Sequence, residues 1–326
     1  MTGPTVRPKI AVVLFNLGGP DGPDAVAPFL FNLFNDEAII GAPQPIRWMI
    51  AKLISTRRAP VAREIYEHMG GGSPILPATL AQAQALEEKL TARFEAKCFV
   101  SMRYWHPRAD ETVAAVKAWA PDEIILLPLY PHYSSTTTGS SLKDWARAAR
   151  RGGLECPAHT ICCYPIADQF IAAHAALLRA ALERMQGRPV RVLLSAHGLP
   201  KRVIERGDPY QAQVEQTCAA VVAALGMPEL DWVTCYQSRV GPLEWIGPAT
   251  DAEIERAGRE GKALIVVPIA FVSEHSETLV ELDIEYRQRA SAAGVPAYVR
   301  VPALGCQPLF IEALAALVCD AQGGDR

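Results

Sequence analysis

An excess of positive charge is missing from this chain. Its 326 residues include 32 Lys and Arg against 35 Asp and Glu, a formal net charge of −3, with no basic arm or block. The electrostatic footprint of a nucleic-acid binder is therefore absent, and no nucleic-acid partner is expected. Long apolar runs are also lacking: no stretch approaches the ~18 apolar residues that span a bilayer. Residues 1–19 hold no apolar core of ~7–15 residues ending in a small-residue cleavage site, so they read as a first strand and not as a signal peptide. A cytoplasmic location is the expectation. There is no CxxC pair among the eight cysteines, Cys98, Cys156, Cys162, Cys163, Cys218, Cys235, Cys306 and Cys319. Reduced, partly buried thiols fit that scatter; Cys156, Cys162 and Cys163 form its one local group, of open role. Nucleotide-binding patterns are wanting too. Asn16-Leu17-Gly18-Gly19-Pro20 and Gly70-Gly71-Gly72-Ser73-Pro74 match neither G-x-G-x-x-G nor the P-loop. No G-x-S-x-G elbow exists, which excludes that type of serine hydrolase.

What is present is an ordinary globular composition, half apolar, in a chain about twice the usual domain length. Short apolar runs at residues 10–15, 98–103, 123–129, 190–195, 232–235, 263–269 and 297–300 predict strands. Stretches at 77–95, 167–185, 211–225 and 276–293 carry apolar residues at helical spacing. The alternation predicts an α/β fold with parallel sheets and a ligand at the carboxyl ends of the strands. A weak internal repeat refines this. IILLPLYPHYSSTTTGSS at 124–141 and LIVVPIAFVSEHSETLVE at 264–281 are alike, with Pro128 and Pro268 in equivalent places. Two similar Rossmann-like domains facing each other across a cleft are expected, over 1–160 and 161–305, with a C-terminal helix at 306–326.

Two strand ends carry chemistry. His197, in Ser195-Ala196-His197-Gly198, stands just past a predicted strand, where a histidine can act as base or metal ligand or simply bond to backbone. In Ser273-Glu274-His275-Ser276-Glu277, ionisable groups crowd a strand-to-helix junction that Ser273 or Ser276 could cap. Farther on, Glu277, Glu281 and Glu285 recur four apart, opposite Leu279, Leu282 and Tyr286. Such a ladder is either a solvated face or, if it lines the cleft, a conduit for metal or protons. Residues 29–54 are oddly apolar and end before Arg57 and Arg58: half core helix, or an exposed lip with a basic rim for a flat greasy anion or a membrane surface.

In order along the chain, FNLGGPD, ISTRRAPVAREIYEHMGGGSPI, MRYWHP, LYPHYSSTTTGSS, LLSAHGLPKRVIERGDPY, CYQSRVGPLEWIGPAT and PIAFVSEHSETLVELDIEY resemble the ferrochelatase family of class II chelatases. The resemblance implies two Rossmann-like domains around a porphyrin cleft and a lyase that inserts Fe²⁺ into protoporphyrin IX, the terminal step of haem synthesis. Its catalytic His and Glu fall on His197 and Glu277, which are also the metal-binding candidates. Glu274, His275 and Glu281 match positions implicated in metal or proton passage. Leu17, Arg103, Tyr104, Tyr130, Trp245 and Phe271 fall on positions lining or bordering the macrocycle pocket. Porphyrin and ferrous iron are then substrates, no cofactor is required, and the 29–54 lip suggests peripheral contact with the inner face of the membrane. The [2Fe–2S] cluster of some relatives is not expected, because Ser135 replaces one ligand and only Cys319 follows residue 310. Two rivals stay open: a Co²⁺ or Ni²⁺ chelatase for another tetrapyrrole, and a catalytically silent porphyrin carrier.

Overall fold

The structure, a computed structural model, describes residues 7–185, 187–239 and 243–323. The strands are β1 (Lys9–Asn16), β2 (Glu95–Met102), β3 (Glu123–Pro128), β4 (Ala158–Thr160), β5 (Val190–His197), β6 (Asp231–Gln237), β7 (Ala263–Pro268) and β8 (Tyr298–Arg300). The helices of the first half are α1 (Val26–Phe34), α2 (Gln44–Glu67), α3 (Ile75–Leu90), α4 (Ala109–Trp119) and α5 (Thr138–Gly152). Those of the second are α6 (Asp168–Glu183), α7 (Lys201–Glu205), α8 (Tyr210–Leu225), α9 (Thr250–Arg259), α10 (Tyr286–Ala292) and α11 (Pro308–Gly323), with a π-helix at Glu277–Glu285. The fold is α/β, with two four-stranded parallel sheets ordered β2-β1-β3-β4 and β6-β5-β7-β8.

Two compact units result. One comprises Met1–Tyr130, Ser135–Cys163 and Ile311–Arg326; the other comprises Pro131–Ser134 and Tyr164–Phe310. Each is organised about a strand covered on both faces. Ile10 to Phe15 in β1 are at most 1% exposed, as are Val192, Leu193 and Leu194 in β5. Parallel strands buried on both sides read as continuous apolar runs, which is why these were visible in the sequence. The edge strand β4 was not. It is three residues long, reads Ala-His-Thr, and pairs along one side only, so it carries no apolar signature.

The sheet registers make the internal repeat concrete. Phe15 of β1 lies opposite Ser101 and Pro128, and Ser195 of β5 lies opposite Cys235 and Pro268. Phe15 and Ser195 are thus equivalent. Two residues on, Leu17 corresponds to His197, and three residues past the neighbouring strands' partners, Tyr104 corresponds to Ser238. Both pairs stand at carboxyl strand ends beside the point where strand order reverses, the usual ligand position in open α/β sheets.

The apolar 29–54 segment divides. Phe29 and Leu30 on α1 join a core cluster with Val26, Ala59 and Tyr66. The first turns of α2 instead expose Ile46, Trp48, Met49 and Leu53, with Met49 66% exposed. No helix among the described residues is long and apolar enough to cross a membrane.

The second unit also encloses an unusual histidine pair. His132 and His174 are 2% and 1% exposed and pack edge-on to Phe170 at 6.5 and 4.8 Å. His132 Nε2 meets Thr217 Oγ1 at 2.8 Å, while its Nδ1 and both ring nitrogens of His174 have no hydrogen-bond partner among the described residues. Burial, with His174 adding to it at His132, holds both pKa values down to about 3, from the ordinary 6.5. Both rings fold neutral, so the unfolded chain binds more protons below pH 6.5. Stability is full above that pH and falls between 6.5 and 3, by about 1.4 kcal/mol per pH unit per ring. Urea titrations over this range should give a shallower pH slope for His174→Leu than for the parent; identical slopes would refute the assignment.

Candidate active site

The carboxyl end of β5 positions His197. Its carbonyl accepts a hydrogen bond from the Tyr210 hydroxyl at 3.0 Å, and the next residue, Gly198, donates its N–H to the Gln237 carbonyl at 2.8 Å. A Cβ on Gly198 would lie 2.9 Å from that carbonyl oxygen and 3.4 Å from the Trp245 ring, so glycine is required by the close approach. Trp245 pairs with Pro200 across a β-bridge beside it.

From β7 the chain turns through Phe271 and His275 into the π-helix. Ser276, at the cap position, makes no side-chain capping bond; Thr278 accepts from the His275 N–H at 3.0 Å. Helical spacing predicts a regular helix over 276–293, its carboxylate ladder either a solvated face or a conduit. The wider π turn changes that outcome: Thr278, Val280 and Leu282 are buried, Leu279 and Tyr286 half-buried. Glu285 is exposed, whereas the Glu277 side chain is only 24% exposed and Glu281 is half-buried. Long π segments are rare and occur mostly at functional sites.

Glu277 and Glu281 converge on the end of β6. Glu277 Oε2 lies 2.8 Å from His197 Nδ1 and accepts from Ser238 Oγ at 3.0 Å. Glu281 accepts from the Ser238 N–H at 2.9 Å, from Gln237 Nε2 at 3.0 Å and from the Tyr286 hydroxyl at 3.2 Å, and its Oε2 also contacts Ser238 Oγ. Ser238 reaches both carboxylates from a left-handed backbone, φ 59°, an uncommon conformation for a residue with a side chain. One hydroxyl has one proton, so it cannot donate to both. A proton on Glu281, whose pKa is pushed up, would allow both contacts, with Glu281 donating to Ser238 and Ser238 to Glu277.

The electrostatics agree. Burial acts against the charge on Glu277, but His197 beside it, His275 and Ser238 outweigh that and hold its pKa down to about 2. Glu281 is pushed up, by burial first and by the charge of Glu277 second. For His197, burial opposes protonation, yet Glu277 and Glu281 raise its pKa above the ordinary value. His275 goes the other way because burial dominates. Its Nδ1 faces the Ser273 carbonyl at 3.1 Å, so the proton of the neutral ring belongs there and the Nε2 lone pair looks toward Glu277 Oε1, 4.0 Å away. Phe271 packs on this ring at 4.6 Å between centroids.

Glu274 does not join the group. Its Oε1 accepts from Arg300 Nη1 at 2.7 Å and from the Ala303 N–H at 3.0 Å, which anchors the turn to the segment after β8. In the first unit, Leu17 is partly buried against the cluster that contains Tyr104, and Tyr104 itself is 1% exposed. Tyr104 is thus a core side chain and not a surface of a pocket. Tyr130 packs on the neighbouring core cluster. Arg103 bonds to Asp36, 2.9 Å, and Ser140, 2.7 Å. Sequence reasoning passed over Gln237, Ser238 and Tyr210 as site residues. Their place at or after a parallel strand's carboxyl end was a usable signal; the backbone angle of Ser238 was not.

The chain matches the ferrochelatase family profile over residues 9–322. It is 58% identical over 320 residues to a ferrochelatase of Caulobacter vibrioides, covering 97% of this chain and 91% of that protein. A ferrochelatase of Phenylobacterium zucineum is 59% identical over 313 residues, covering 94% and 90%. This chain belongs to the ferrochelatase family. As a family member it is a metal–porphyrin chelatase. Among solved structures, the fold is shared with SirB from Bacillus subtilis with Fe³⁺, at a TM-score of 0.55 and 14% identity over 97% of this chain and 98% of that one. CbiX, the terminal enzyme for siroheme biosynthesis in denitrifying bacteria, shares it at 0.52 and 15% identity over 96% and 99%.

The charge on Glu277 controls His197. Following the ring protons by NMR against pH, His197 should titrate above 6.5 in the parent and below the parent value in Glu277→Gln, where only Glu281 still opposes burial. An unchanged titration in the variant would dissolve the coupling.

Proposed function

We propose that this ferrochelatase inserts Fe²⁺ into protoporphyrin IX to form protohaem, with His197 as the acceptor of the pyrrole protons and Glu277 as its partner. The observation that carries the reading is the 2.8 Å contact between His197 Nδ1 and Glu277 Oε2 at a strand end. A free porphyrin holds two inner N–H protons in a flat ring, so metal entry requires the ring to bend and those protons to leave. Leu17 in the first unit, and Trp245 and Phe271 in the second, are apolar or aromatic side chains of the kind that grip a bent ring better than a flat one, using binding energy to offset strain. Within the first unit, Tyr104 packs in the same cluster as Leu17, and Arg103 and Tyr130 are the further residues we assign to the ring-binding side of that unit.

With Nδ1 turned to Glu277, a neutral His197 offers the Nε2 lone pair to a proton, and the imidazolium that forms is held by the carboxylate. Ser238 and a protonated Glu281 extend a hydrogen-bonded chain by which a proton could leave. His275 Nε2 and Glu277 Oε1, both donors to a borderline metal ion, suit a weak, open station for Fe²⁺ on its way to the ring. Glu274 takes part in passage only as the anchor of that turn.

The apolar start of α2 favours the greasier protoporphyrin over a more carboxylated ring, and we assign it to peripheral membrane contact from the cytoplasmic side. Met49, Leu53 and Trp48 stand out from the surface without a span behind them. The protein should therefore co-sediment with anionic vesicles, and Met49→Ser with Leu53→Ser should lose about tenfold in partitioning. Equal partitioning of the variant would remove the lip from the account.

The function itself is tested by mixing protein, protoporphyrin IX and Fe²⁺ or Zn²⁺ without oxygen and following visible absorption. Insertion raises ring symmetry and collapses four Q bands to two. The parent should do this well above the protein-free rate, and His197→Ala should lose about 10²-fold or more. Four persistent bands with a shifted Soret would mean binding without insertion, as in a carrier.

A further inference from the structure

The first unit contains a second buried carboxylate that the reaction chemistry does not use. Asp36, one residue past the α1 cap, is 7% exposed. Its Oδ2 accepts from Arg103 Nη2 at 2.9 Å and from the Tyr104 hydroxyl at 2.8 Å, and it also contacts the Ser140 hydroxyl. Its Oδ1 accepts from the Ala38 N–H at 3.0 Å. Four residues earlier on the same side of the helix, Asn32 donates to the Tyr104 carbonyl at 3.1 Å. The end of α1 thus grips residues 103 and 104 from two points.

Those two residues extend β2 past its last paired position. The Arg103 N–H donates to the Asn16 carbonyl and the Tyr104 N–H to the Leu17 carbonyl, at 2.9 and 3.0 Å. Leu17 is the residue that the sheet register equates with His197, as Tyr104 is equated with Ser238. In one unit, Glu281 clamps the backbone after β6 beside His197. In the other, Asp36 holds the side chains of Arg103 and Tyr104, the two residues after β2, beside Leu17.

Two of the three Arg103 nitrogens are hydrogen-bonded in this arrangement, and the third makes an ion pair. Its Nε donates to Ser140 at 2.7 Å, its Nη2 to Asp36, and its Nη1 lies 3.6 Å from Asp144. The guanidinium is 15% exposed and lies over the Tyr104 ring at 4.9 Å. A side chain so engaged is not free to receive a carboxylate of the substrate. It transmits the charge of Asp36 to α5 and to the loop instead. The cleft of about 560 Å³ beside it is lined by the carboxylates Asp36, Asp110, Glu111 and Asp144 against Arg103, Arg108 and Arg147, so it carries no excess of positive charge for an anion.

We propose that Asp36 is a positioning residue for macrocycle binding: through Arg103 and Tyr104 it fixes the height and tilt of Leu17, the apolar wall of the first unit. The inference rests on the reading of Leu17 as part of the porphyrin pocket. A wall held to sub-ångström tolerance acts on substrate affinity and ring shape, while proton removal at His197 proceeds on the other unit's groups.

The test is the split between porphyrin KM and kcat in Asp36→Asn, with Zn²⁺ as the metal, beside metal-free porphyrin affinity from protein fluorescence quenching. The variant should raise both porphyrin KM and Kd about tenfold, with kcat changed less than about threefold and the KM for Zn²⁺ unaltered. Ser140→Ala removes one of the clamp's members without touching a charge and should raise porphyrin KM about two- to threefold, which keeps the test open if Asp36→Asn folds poorly. Unchanged porphyrin KM and Kd in both variants, with only melting temperature or active fraction reduced, would overturn the proposal. A parent protein that binds porphyrin but inserts no metal would instead sink the functional reading, leaving the Kd comparison to decide the role of Asp36.

Discussion

The contact between the Glu277 carboxylate and His197 is the interaction on which the second unit is arranged. A carboxylate three-quarters enclosed is costly to ionise unless it is paired and hydrogen-bonded. Every neighbouring feature addresses that cost. His197 faces it, Ser238 adopts a left-handed backbone to donate to it, and Glu281 is pushed toward its protonated form beside it. The π-helix brings both carboxylates to one side of the same short segment. A site that stabilises a negative charge and keeps a histidine beside it can take up a proton and hold the resulting cation without rearranging, which is what ring metallation demands.

The same topological position is used differently in the two halves. After β5 it holds His197; after β1 it holds Leu17. Beside each, a carboxylate holds the residues that follow the neighbouring strand: half-buried Glu281 on Ser238, and buried Asp36 on the Arg103 and Tyr104 side chains. On the proposed function, a duplicated α/β frame would separate the labour between a polar edge for proton and metal handling and an apolar edge for gripping a flat ring. The family's chemistry needs both, because a metal cannot enter a ring that is neither bent nor deprotonated.

Much of this was legible in the sequence for definite physical reasons. Strands covered on both faces are unbroken apolar runs, so β1, β3, β5 and β7 announced themselves, and the prolines at 128 and 268 marked the repeat. His197 and Glu277 were found because strand ends concentrate chemistry and because the SAHG and HSETLVELD strings resemble a known family. Other features left no periodic trace. The three-residue β4 has no apolar pattern, and a helix-period reading of 276–293 could not foresee a π turn that draws Glu281 inward. Glu274 looked like a neighbour of the site until the partner that claims it, Arg300, was placed by tertiary folding 26 residues on. Asp36 and Ser238 are single polar residues whose roles exist only through contacts made across the sheet ends.

The central claim is that the ionised Glu277, acting through His197, is needed for removal of the ring protons and not for holding the ring. Anaerobic single-turnover mixing of Glu277→Gln with protoporphyrin IX and excess Fe²⁺, with a pH indicator reporting released protons, addresses it directly. The account predicts porphyrin Kd within about threefold of the parent, and proton release and Q-band collapse slowed together by about 10²-fold or more. Proton release and insertion at the parent rate in that variant would contradict it.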